Sequence, residues 1–341
     1  MMHPEATVRQ AVVRLDAAGL RLIGGRPVLG WIVRELQRFG VDDVLLLSQD
    51  TEFSAIPMLG PLPKPARMEM LPCPDGDALA ALAGAGDRLH GRFLFCGGNT
   101  LFDANLGALL AADSDGSGRR LLICPSDGAN VSADIMLIHK EMLRNAGRPT
   151  GLPAITVEGV IGDHALPRLR RPALFFDRDG VLNVDHGYVG TRDRFEWVEN
   201  ALAGIEYATR AGWHVFIATN QSGVARGHYD EAAVRLLLDW MADEARAQGG
   251  TIDDARYCPH HPEAQVAAYR QAHPWRKPQP GMLLDLIDAW ELDATRAVMI
   301  GDQDTDMHAA AAAGIEGHPF RGGDLLAFLR PILNAKMKQF R

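Results

Sequence analysis

The 341-residue chain has little cysteine, no long apolar run and no excess of positive charge. Its four cysteines are widely scattered, which favours reduced thiols in a cytoplasmic protein over a disulfide framework. No apolar run approaches the length that spans a bilayer, so we expect no membrane segment. The net charge is -8, so the overall charge gives no reason to expect binding to nucleic acid or to an anionic membrane surface.

The composition and one proline-ended seam indicate two globular domains. Hydrophobic residues make up 47% of the chain and charged residues 23%, as in a globular protein, and the length is sufficient for two domains. Residues 1–5 lack a basic region followed by an apolar core, so we expect no signal peptide. A short basic segment over residues 168–172 ends in proline, and an apolar strand follows at once. We therefore predict domains over residues 1–168 and 172–341.

Apolar runs alternate with amphipathic segments in both halves of the chain. In the first half, the pattern predicts a helix over 28–39 and strands over 43–47, 93–96 and 121–124. In the second half, it predicts strands over 173–176, 214–218 and 297–300, and helices over 200–211, 231–248, 281–290 and 304–313. This alternation predicts the α/β class, with two domains that are each a mostly parallel sheet flanked by helices.

Polar clusters follow the predicted strands of the second half. Asp177 and Asp179 come directly after the first strand, and residues 219–223 follow the second. Asp302 and Asp306 follow the third, and Arg276-Lys277 precedes the helix that opens at residue 281. Because the carboxyl ends of strands meet at one edge of an open α/β sheet, we expect these clusters to converge on one site.

This set of side chains is suited to the hydrolysis of a phosphate monoester. A carboxylate nucleophile divides the reaction through an aspartyl-phosphate, and a second acid two residues on can protonate the leaving oxygen and then activate water. A hard cation such as Mg2+, held by oxygen ligands, offsets the repulsion between carboxylate and phosphate. A lysine neutralises the phosphate oxygens further.

In this order the four clusters resemble the haloacid dehalogenase (HAD) superfamily of phosphohydrolases, from residue 172 to about residue 328. The extended segments 177–189 and 219–227 resemble, more narrowly, the heptose bisphosphate phosphatases. The related histidinol-phosphate phosphatases share the core motifs but fit residues 183–189 less well. The resemblance implies a HAD-like Rossmannoid fold for the second domain.

The resemblance also implies roles for individual residues. Asp177 would be the nucleophile and Asp179 the acid/base, while Asp177, the backbone carbonyl of Asp179, and Asp302 would bind Mg2+. Asp306 would position Lys277 or a metal-bound water. The residues expected to hold the phosphate or the rest of the substrate are Thr219, Asn220, Arg276, Lys277, Asn183, Asp185, His186 and Tyr188.

A zinc loop of the heptose-phosphatase family is incomplete in this chain. Cys258 and His260 match the first half of the ligand pattern, but a family Cys-x-Cys is replaced by His273 and Trp275. Structural zinc takes four protein ligands, and tryptophan cannot supply one. Zn2+ bound by Cys258, His260 and His273, with His261 as a fourth candidate, stays an alternative. We favour a metal-free loop that still closes over the substrate.

The first half resembles the sugar-phosphate nucleotidyltransferases over residues 8–168, which implies a second Rossmannoid domain. The functional positions of that family are changed here. Residues 14–19 replace the glycine-rich nucleotide loop, Asn99 replaces a metal-binding aspartate, and residues 75–78 replace the base-binding turn. We therefore predict a degenerate, non-catalytic domain that serves in homodimerisation or regulation, or that binds a sugar phosphate without turnover.

Together these observations predict a cytoplasmic, Mg2+-dependent phosphatase that acts on a small sugar phosphate. The narrower resemblance implies removal of the 7-phosphate of D-glycero-D-manno-heptose 1,7-bisphosphate, which would supply precursors of nucleotide-activated heptose and hence of lipopolysaccharide. Two alternatives stay open. One is a histidinol-phosphate or other small-molecule phosphatase, and the other is a non-catalytic scaffold or regulatory protein.

Overall fold

A computed structural model of the chain describes residues 8–50, 55–74, 76–113, 116–124, 131–145 and 152–339. The chain divides into two compact units, Met1–Arg170 and Arg171–Arg341. This division lies within the basic segment that ends at Pro172. Each unit has its own sheet and its own hydrophobic core.

The first unit has a mixed sheet with strand order β5-β4-β1-β6-β9-β8-β10-β7, and β2 and β3 form a separate small hairpin. All neighbours in the large sheet are parallel except those of β9 and β7. The strands are β1 Gln10–Arg14, β2 Leu22–Ile23, β3 Arg26–Pro27, β4 Asp43–Ser48, β5 Arg67–Pro72, β6 Arg92–Gly97, β7 Phe102–Ala104, β8 Arg119–Cys124, β9 Val131–His139 and β10 Ala154–Ile161. The helices are α1 Val28–Arg38, α2 Ala78–Gly84, α3 Leu106–Ala111, α4 Lys140–Asn145 and α5 Leu166–Leu169.

The second unit has an all-parallel sheet with strand order β13-β12-β11-β14-β15. Its strands are β11 Ala173–Phe176, β12 His214–Asn220, β13 Asp254–Cys258, β14 Ala297–Gly301 and β15 Glu316–Pro319. Its helices are α6 Ala201–Arg210, α7 Ser222–Ala225, α8 Glu231–Ala247, α9 Gly281–Ala289, α10 Asp304–Ala312 and α11 Leu325–Gln339. The prediction of two α/β domains with mostly parallel sheets flanked by helices is confirmed.

The central strand β11 shows why its sequence is continuously apolar. Successive side chains of a strand point to opposite faces of the sheet, and here both faces are covered. Leu174 and Phe176 belong to one hydrophobic cluster, whereas Ala173 and Phe175 belong to the cluster on the other face. All four residues are buried. The chain therefore leaves the centre of the sheet with no polar group until it reaches Asp177.

The elements predicted from apolar patterning are confirmed, with ends that shift by a residue or two. In the second unit, patterning missed the two edge strands β13 and β15 and the helices α7 and α11, and in the first unit it predicted α1, β4, β6 and β8 but not the other strands and helices. The strand β13 is mostly half-buried, and β15 reads Glu-Gly-His-Pro, so neither contains an apolar run. Their partners in the sheet, rather than their own sequences, make them strands.

Two further expectations concern the membrane and the thiols. In the part of the chain that is described, no helix combines the length and the apolar character needed to cross a membrane. Cys73, Cys96 and Cys258 are buried cysteines that are not joined in disulfides.

Candidate active site

Three neighbouring strands of the second sheet deliver polar side chains to one edge. Asp177 follows β11, and its backbone N–H donates to the carbonyl of Ile300 in β14. On either side of β11, β12 ends in Thr219-Asn220 and β14 is followed by Asp302. Because all three strands are parallel, their carboxyl ends meet, and Asp177, Asn220 and Asp302 line a cleft of about 430 Å3.

Lys277 lies at the floor of this cleft and is almost fully buried. Its Nζ is 2.7 Å from Asp177 Oδ1 and 2.6 Å from Asp306 Oδ1, and it donates to the carbonyl of Ala218 at 2.8 Å. Burial lowers the pKa of Lys277, but the two carboxylates outweigh that effect and raise it above its usual range. The lysine therefore stays charged. Asn220 holds the backbone of Lys277 in place. Its side-chain oxygen accepts from the Lys277 N–H at 3.0 Å, and its side-chain nitrogen donates to the Lys277 carbonyl at 3.1 Å.

Asp177 is the carboxylate most affected by this environment. Burial raises the pKa of Asp177 to about 7, and the neighbouring carboxylates of Asp306 and Asp179 add to the rise, whereas Lys277 opposes it. One lysine therefore does not fully compensate the negative charge of this cluster. A further cation would favour the ionised form that a nucleophile requires.

The arrangement of carboxylates fits a divalent cation. Oxygen atoms of Asp177, Asp302 and Asp306 lie within 4.8 Å of one another. Asp302 Oδ1 is buried and has no hydrogen-bond partner, and burial raises the pKa of Asp302. Gly180 permits this close approach, because a Cβ at its position would lie 2.5 Å from Asp302 Oδ2. Hard carboxylate oxygens of this kind are the ligands that Mg2+ prefers.

Asp179 is held by three donors. Arg178 Nη2 donates to Asp179 Oδ1 at 2.7 Å, and Asn183 Nδ2 donates to the same oxygen at 3.0 Å. Gln221 Nε2 donates to Asp179 Oδ2 at 2.9 Å, and Tyr229 Oη donates to Gln221 Oε1 at 2.8 Å. The carboxylate therefore lines the cleft in a defined orientation.

Sequence reasoning missed the contributions of Arg178, Gln221 and Tyr229. An arginine between two aspartates suggests a solvated surface residue, yet Arg178 is fully buried. Its guanidinium also donates to the carbonyl of Val189. Gln221 lies within a predicted cluster, so its polarity and its place after a strand were the available signal.

The structure separates the predicted substrate residues into two groups. Asp185, Tyr188, Asn220 and Lys277 line the cleft. The other four, Asn183, His186, Thr219 and Arg276, are not among the residues that line it.

Three of the residues outside the lining have other partners. Asn183 is fully buried behind Asp179 and donates to it, rather than facing a substrate. His186 Nε2 lies 3.0 Å from Glu196 Oε2 on the surface. Thr219 is buried, and its hydroxyl accepts from Gln221 Nε2 at 3.0 Å.

A small aromatic and basic group forms the rim of the cleft. Tyr188 has a φ of 51°, in the left-handed region, and is 41% exposed. Its ring packs on the imidazole of His228, with centroids 4.4 Å apart, and the guanidinium carbon of Arg226 lies 5.8 Å from the Tyr188 ring centre. A tyrosine whose backbone has a positive φ is uncommon. Where one occurs, it is often in a functional loop that its surroundings constrain.

Comparisons with known proteins match the half of the chain that contains this site. A HAD-hydrolase-like family model matches residues 274–323. The D-glycero-beta-D-manno-heptose-1,7-bisphosphate 7-phosphatase of Rhodopseudomonas palustris is 52% identical over 164 residues, which are 48% of this chain and 91% of that protein. The chain belongs to the family of HAD-like phosphatases that this relative represents. It is a phosphoric monoester hydrolase, and the predicted resemblance is confirmed.

Solved structures are similar to each half of this HAD-like phosphatase. A D,D-heptose 1,7-bisphosphate phosphatase from B. bronchiseptica, complexed with magnesium and phosphate, is 29% identical and has a TM-score of 0.41. It covers 49% of this chain and 99% of that one. HddC from Yersinia pseudotuberculosis is 9% identical and has a TM-score of 0.37. It covers 45% of this chain and 92% of that one.

The zinc alternative is not supported in this phosphatase. Within the described residues, the group of three or more potential ligands that comes together is the aspartate cluster, and the trio Cys258, His260 and His273 does not. Cys258 is buried with its Sγ 3.9 Å from the carbonyl of His260. Burial raises the pKa of the Cys258 thiol, which disfavours the thiolate that zinc requires. Trp275 supplies an indole where a fourth ligand would be needed.

In the first unit of the phosphatase, the positions that correspond to a nucleotidyltransferase's nucleotide site are bonded to one another. Asp16 Oδ1 accepts from the N–H groups of Ala18 and Gly19, at 2.9 and 3.2 Å. Asn99 Nδ2 donates to Asp16 Oδ2 at 2.6 Å. The Asp16 carboxylate thus accepts hydrogen bonds from two of the backbone amides in the loop of residues 14–19. Asp75, from the changed base-binding turn, lies outside the described residues.

Proposed function

We propose that this phosphatase removes the 7-phosphate of D-glycero-D-manno-heptose 1,7-bisphosphate through an aspartyl-phosphate at Asp177. The observation that carries the proposal is the 2.7 Å pair between Lys277 and Asp177 in a cleft whose surrounding chain is 52% identical to a named 7-phosphatase. The segment that bears Asp185 and Tyr188 supports the substrate assignment, because both residues line that cleft.

In the first step a carboxylate oxygen of Asp177 forms a bond to phosphorus, and the bond between phosphorus and the sugar oxygen breaks. Asp179 donates a proton to that leaving oxygen. In the second step Asp179 takes a proton from water, whose oxygen attacks the aspartyl-phosphate. Inorganic phosphate leaves and Asp177 is regenerated.

Lys277, Asn220 and Thr219 have distinct parts in this scheme. Lys277 supplies the positive charge next to the transferring group, and Asn220 fixes Lys277 through two hydrogen bonds. Thr219 contacts Gln221, which in turn orients Asp179. Arg276 would contact the more distant part of the substrate, and Asp185 and Tyr188 would contact the sugar at the rim.

Asp177, Asp302 and the backbone carbonyl of Asp179 would hold Mg2+, while Asp306 remains paired with Lys277. When bound, the cation polarises the phosphoryl oxygens and offsets their repulsion with the carboxylates. The orphaned Asp302 Oδ1 and the raised pKa of Asp177 are the structural support for this assignment.

The test is steady-state phosphate release over a panel that includes both anomers of the heptose bisphosphate and histidinol phosphate. We expect one heptose bisphosphate anomer to have the highest kcat/KM, by roughly a hundredfold over histidinol phosphate. Activity should disappear with EDTA and return with MgCl2. A preference for histidinol phosphate would favour the alternative phosphatase, and no release from any substrate would favour the scaffold.

We also propose that the first unit performs no nucleotidyl transfer. The carboxylate of Asp16 already accepts from the loop amides, and Asn99 supplies no charge for a metal ion. Assays with a panel of sugar 1-phosphates and nucleoside triphosphates should give no product, and any detectable transfer would refute the proposal. Its suggested role in homodimerisation is testable by sedimentation velocity of the full chain.

A further inference from the structure

The loop between β13 and α9 brings Lys277 to the cleft, with Arg276 next to it in the chain, and has little regular structure of its own. Over residues 259–280, all of which are described, the helical structure is limited to a 3-10 turn at Ala267–Tyr269. Yet the end of the loop is fixed, since Lys277 is buried between two carboxylates. Backbone hydrogen bonds, such as the one from the Val266 N–H to the carbonyl of Ala225, restrain part of this segment, and side-chain packing adds to them.

Four rings of the loop contact one another in a row, in the order Tyr269, His260, His273 and Trp275. The rings of Tyr269 and His260 have centroids 5.6 Å apart. His260 and His273 are stacked at 4.5 Å with an interplanar angle of 20°, and His273 meets Trp275 edge-on at 6.1 Å. We call these four residues the ring column. Offset-stacked and edge-to-face geometries of this kind are the favourable ones for aromatic pairs.

Both ends of the ring column are anchored in the body of the second unit. Tyr269 Oη donates to Glu231 Oε1 at 2.9 Å, at the first residue of α8, and the Tyr269 ring packs against one hydrophobic cluster of the sheet. Trp275 packs against the other cluster, which contains Cys258 and Met282. The column therefore ties the loop to both faces of the sheet.

Hydrogen bonds connect the ring column to Arg276. Arg276 Nη1 donates to the carbonyl of His260 at 3.3 Å, and the Arg276 N–H donates to the carbonyl of His273 at 3.0 Å. The Trp275 N–H donates to His273 Nδ1 at 3.1 Å. The backbone positions of His260 and His273 thus fix where the guanidinium and the N–H of Arg276 lie, and the His273 ring also holds the residue before Arg276.

We propose that the ring column positions Arg276 for substrate, with His260 and His273 acting as stacked rings and not as metal ligands. Ring packing would thereby perform the restraining task that a metal performs in a zinc loop. Its effect on substrate binding rests on the proposed function, whereas its effect on the loop does not. His260 and His273 are positioning residues in this view, because they act through Arg276.

The test compares two substitutions at one position. His260→Ala removes the ring, whereas His260→Phe keeps a ring and removes both nitrogens that could bind a metal. We expect His260→Ala to raise KM about tenfold with little change in kcat, and His260→Phe to return KM close to the wild-type value. His308→Ala, an exposed histidine on α10, is the matched control and should leave both constants unchanged.

Two results would overturn the proposal. One is equal loss in His260→Ala and His260→Phe, and the other is stoichiometric zinc in the purified protein that both substitutions remove. Hydrogen exchange of the amides in residues 269–276 provides a readout that does not depend on substrate. We expect faster exchange in His260→Ala but not in His260→Phe or His308→Ala, even if the heptose bisphosphate is not the substrate. Unchanged exchange in His260→Ala would also contradict the proposal.

Discussion

In both units an interior parallel strand leads to an aspartate, but the two aspartates have opposite surroundings. After β1, the carboxylate of Asp16 accepts from two backbone N–H groups and from Asn99. After β11, the carboxylate of Asp177 faces Lys277 and two further aspartates, and Asp302 Oδ1 has no partner at all. The carboxylate of Asp16 is satisfied by donors close to it, whereas the carboxylates around Asp177 carry negative charge that a further cation would balance.

This difference shows what distinguishes a carboxylate that stabilises the fold from one that takes part in a reaction, in two domains of the same fold class. The topology of a parallel sheet brings polar groups to its edge in either case. The two edges differ in whether nearby hydrogen-bond donors satisfy the carboxylates. A buried polar group without a hydrogen-bond partner destabilises the fold. A cluster of such groups therefore indicates a site that binds a ligand.

The largest effect should come from Asp177→Asn. Loss of the nucleophile should reduce kcat by roughly a thousandfold or more, because an amide cannot form the covalent intermediate. Steady-state phosphate release measures this loss, and thermal unfolding of the variant should show an intact fold. Undiminished activity would contradict the covalent mechanism.

Lys277→Met should affect both stability and activity. It leaves Asp177 and Asp306 buried without their cation, and breaking a buried pair in this way costs about 3–5 kcal/mol. Urea unfolding in metal-free buffer measures the change. The double variant Lys277→Met/Asp306→Asn should recover part of the stability while remaining inactive. A single variant as stable as the wild type would show that the pairing is unimportant.

Gly180→Ala should weaken Mg2+ binding. The added Cβ would lie 2.5 Å from Asp302 Oδ2, in a backbone with a φ of +81°, so Asp302 must move. We expect about a tenfold higher Mg2+ concentration for half-maximal activity, since displaced ligands bind metal less well. Gly212→Ala is the matched control. Its φ is +83° but nothing lies within 4 Å of the new Cβ, so it should lose stability without changing the Mg2+ requirement.

The smallest effect is expected for Asp16→Ala in the first unit. Removing a capping carboxylate should lower the free energy of unfolding by about 1 kcal/mol. Phosphatase kcat and KM should not change. Thermal unfolding and phosphate release measure the two quantities. A large loss of phosphatase activity would mean that the loop after β1 has a role in the second unit's chemistry.

Much of the second unit could be predicted from its sequence. The strands β11, β12 and β14 are apolar runs that end in polar clusters, and buried parallel strands have that pattern. The convergence of Asp177, Lys277 and Asp302 follows from the topology of such a sheet. The edge strands were not predictable in the same way, because partners outside their own sequence determine them.

The orientation of individual side chains was beyond sequence reasoning. Asn183 and Tyr188 belong to one motif, yet Asn183 is buried against Asp179 while Tyr188 lies at the rim. Arg178 stands between two aspartates in the sequence but is enclosed by the core. Local pattern indicates polarity and spacing, whereas the packing of distant segments decides which polar group reaches the cleft.

The sequence by itself determined the two α/β domains, the phosphatase chemistry and the aspartates and lysine at strand ends, because those depend on local patterning and on residue type. The tertiary structure decided how the charges are balanced, which motif residues face the cleft, and how the loop before Lys277 is held. Those properties arise from contacts between segments far apart in the chain. The ring column and the three donors to Asp179 exist only once such segments have been brought together.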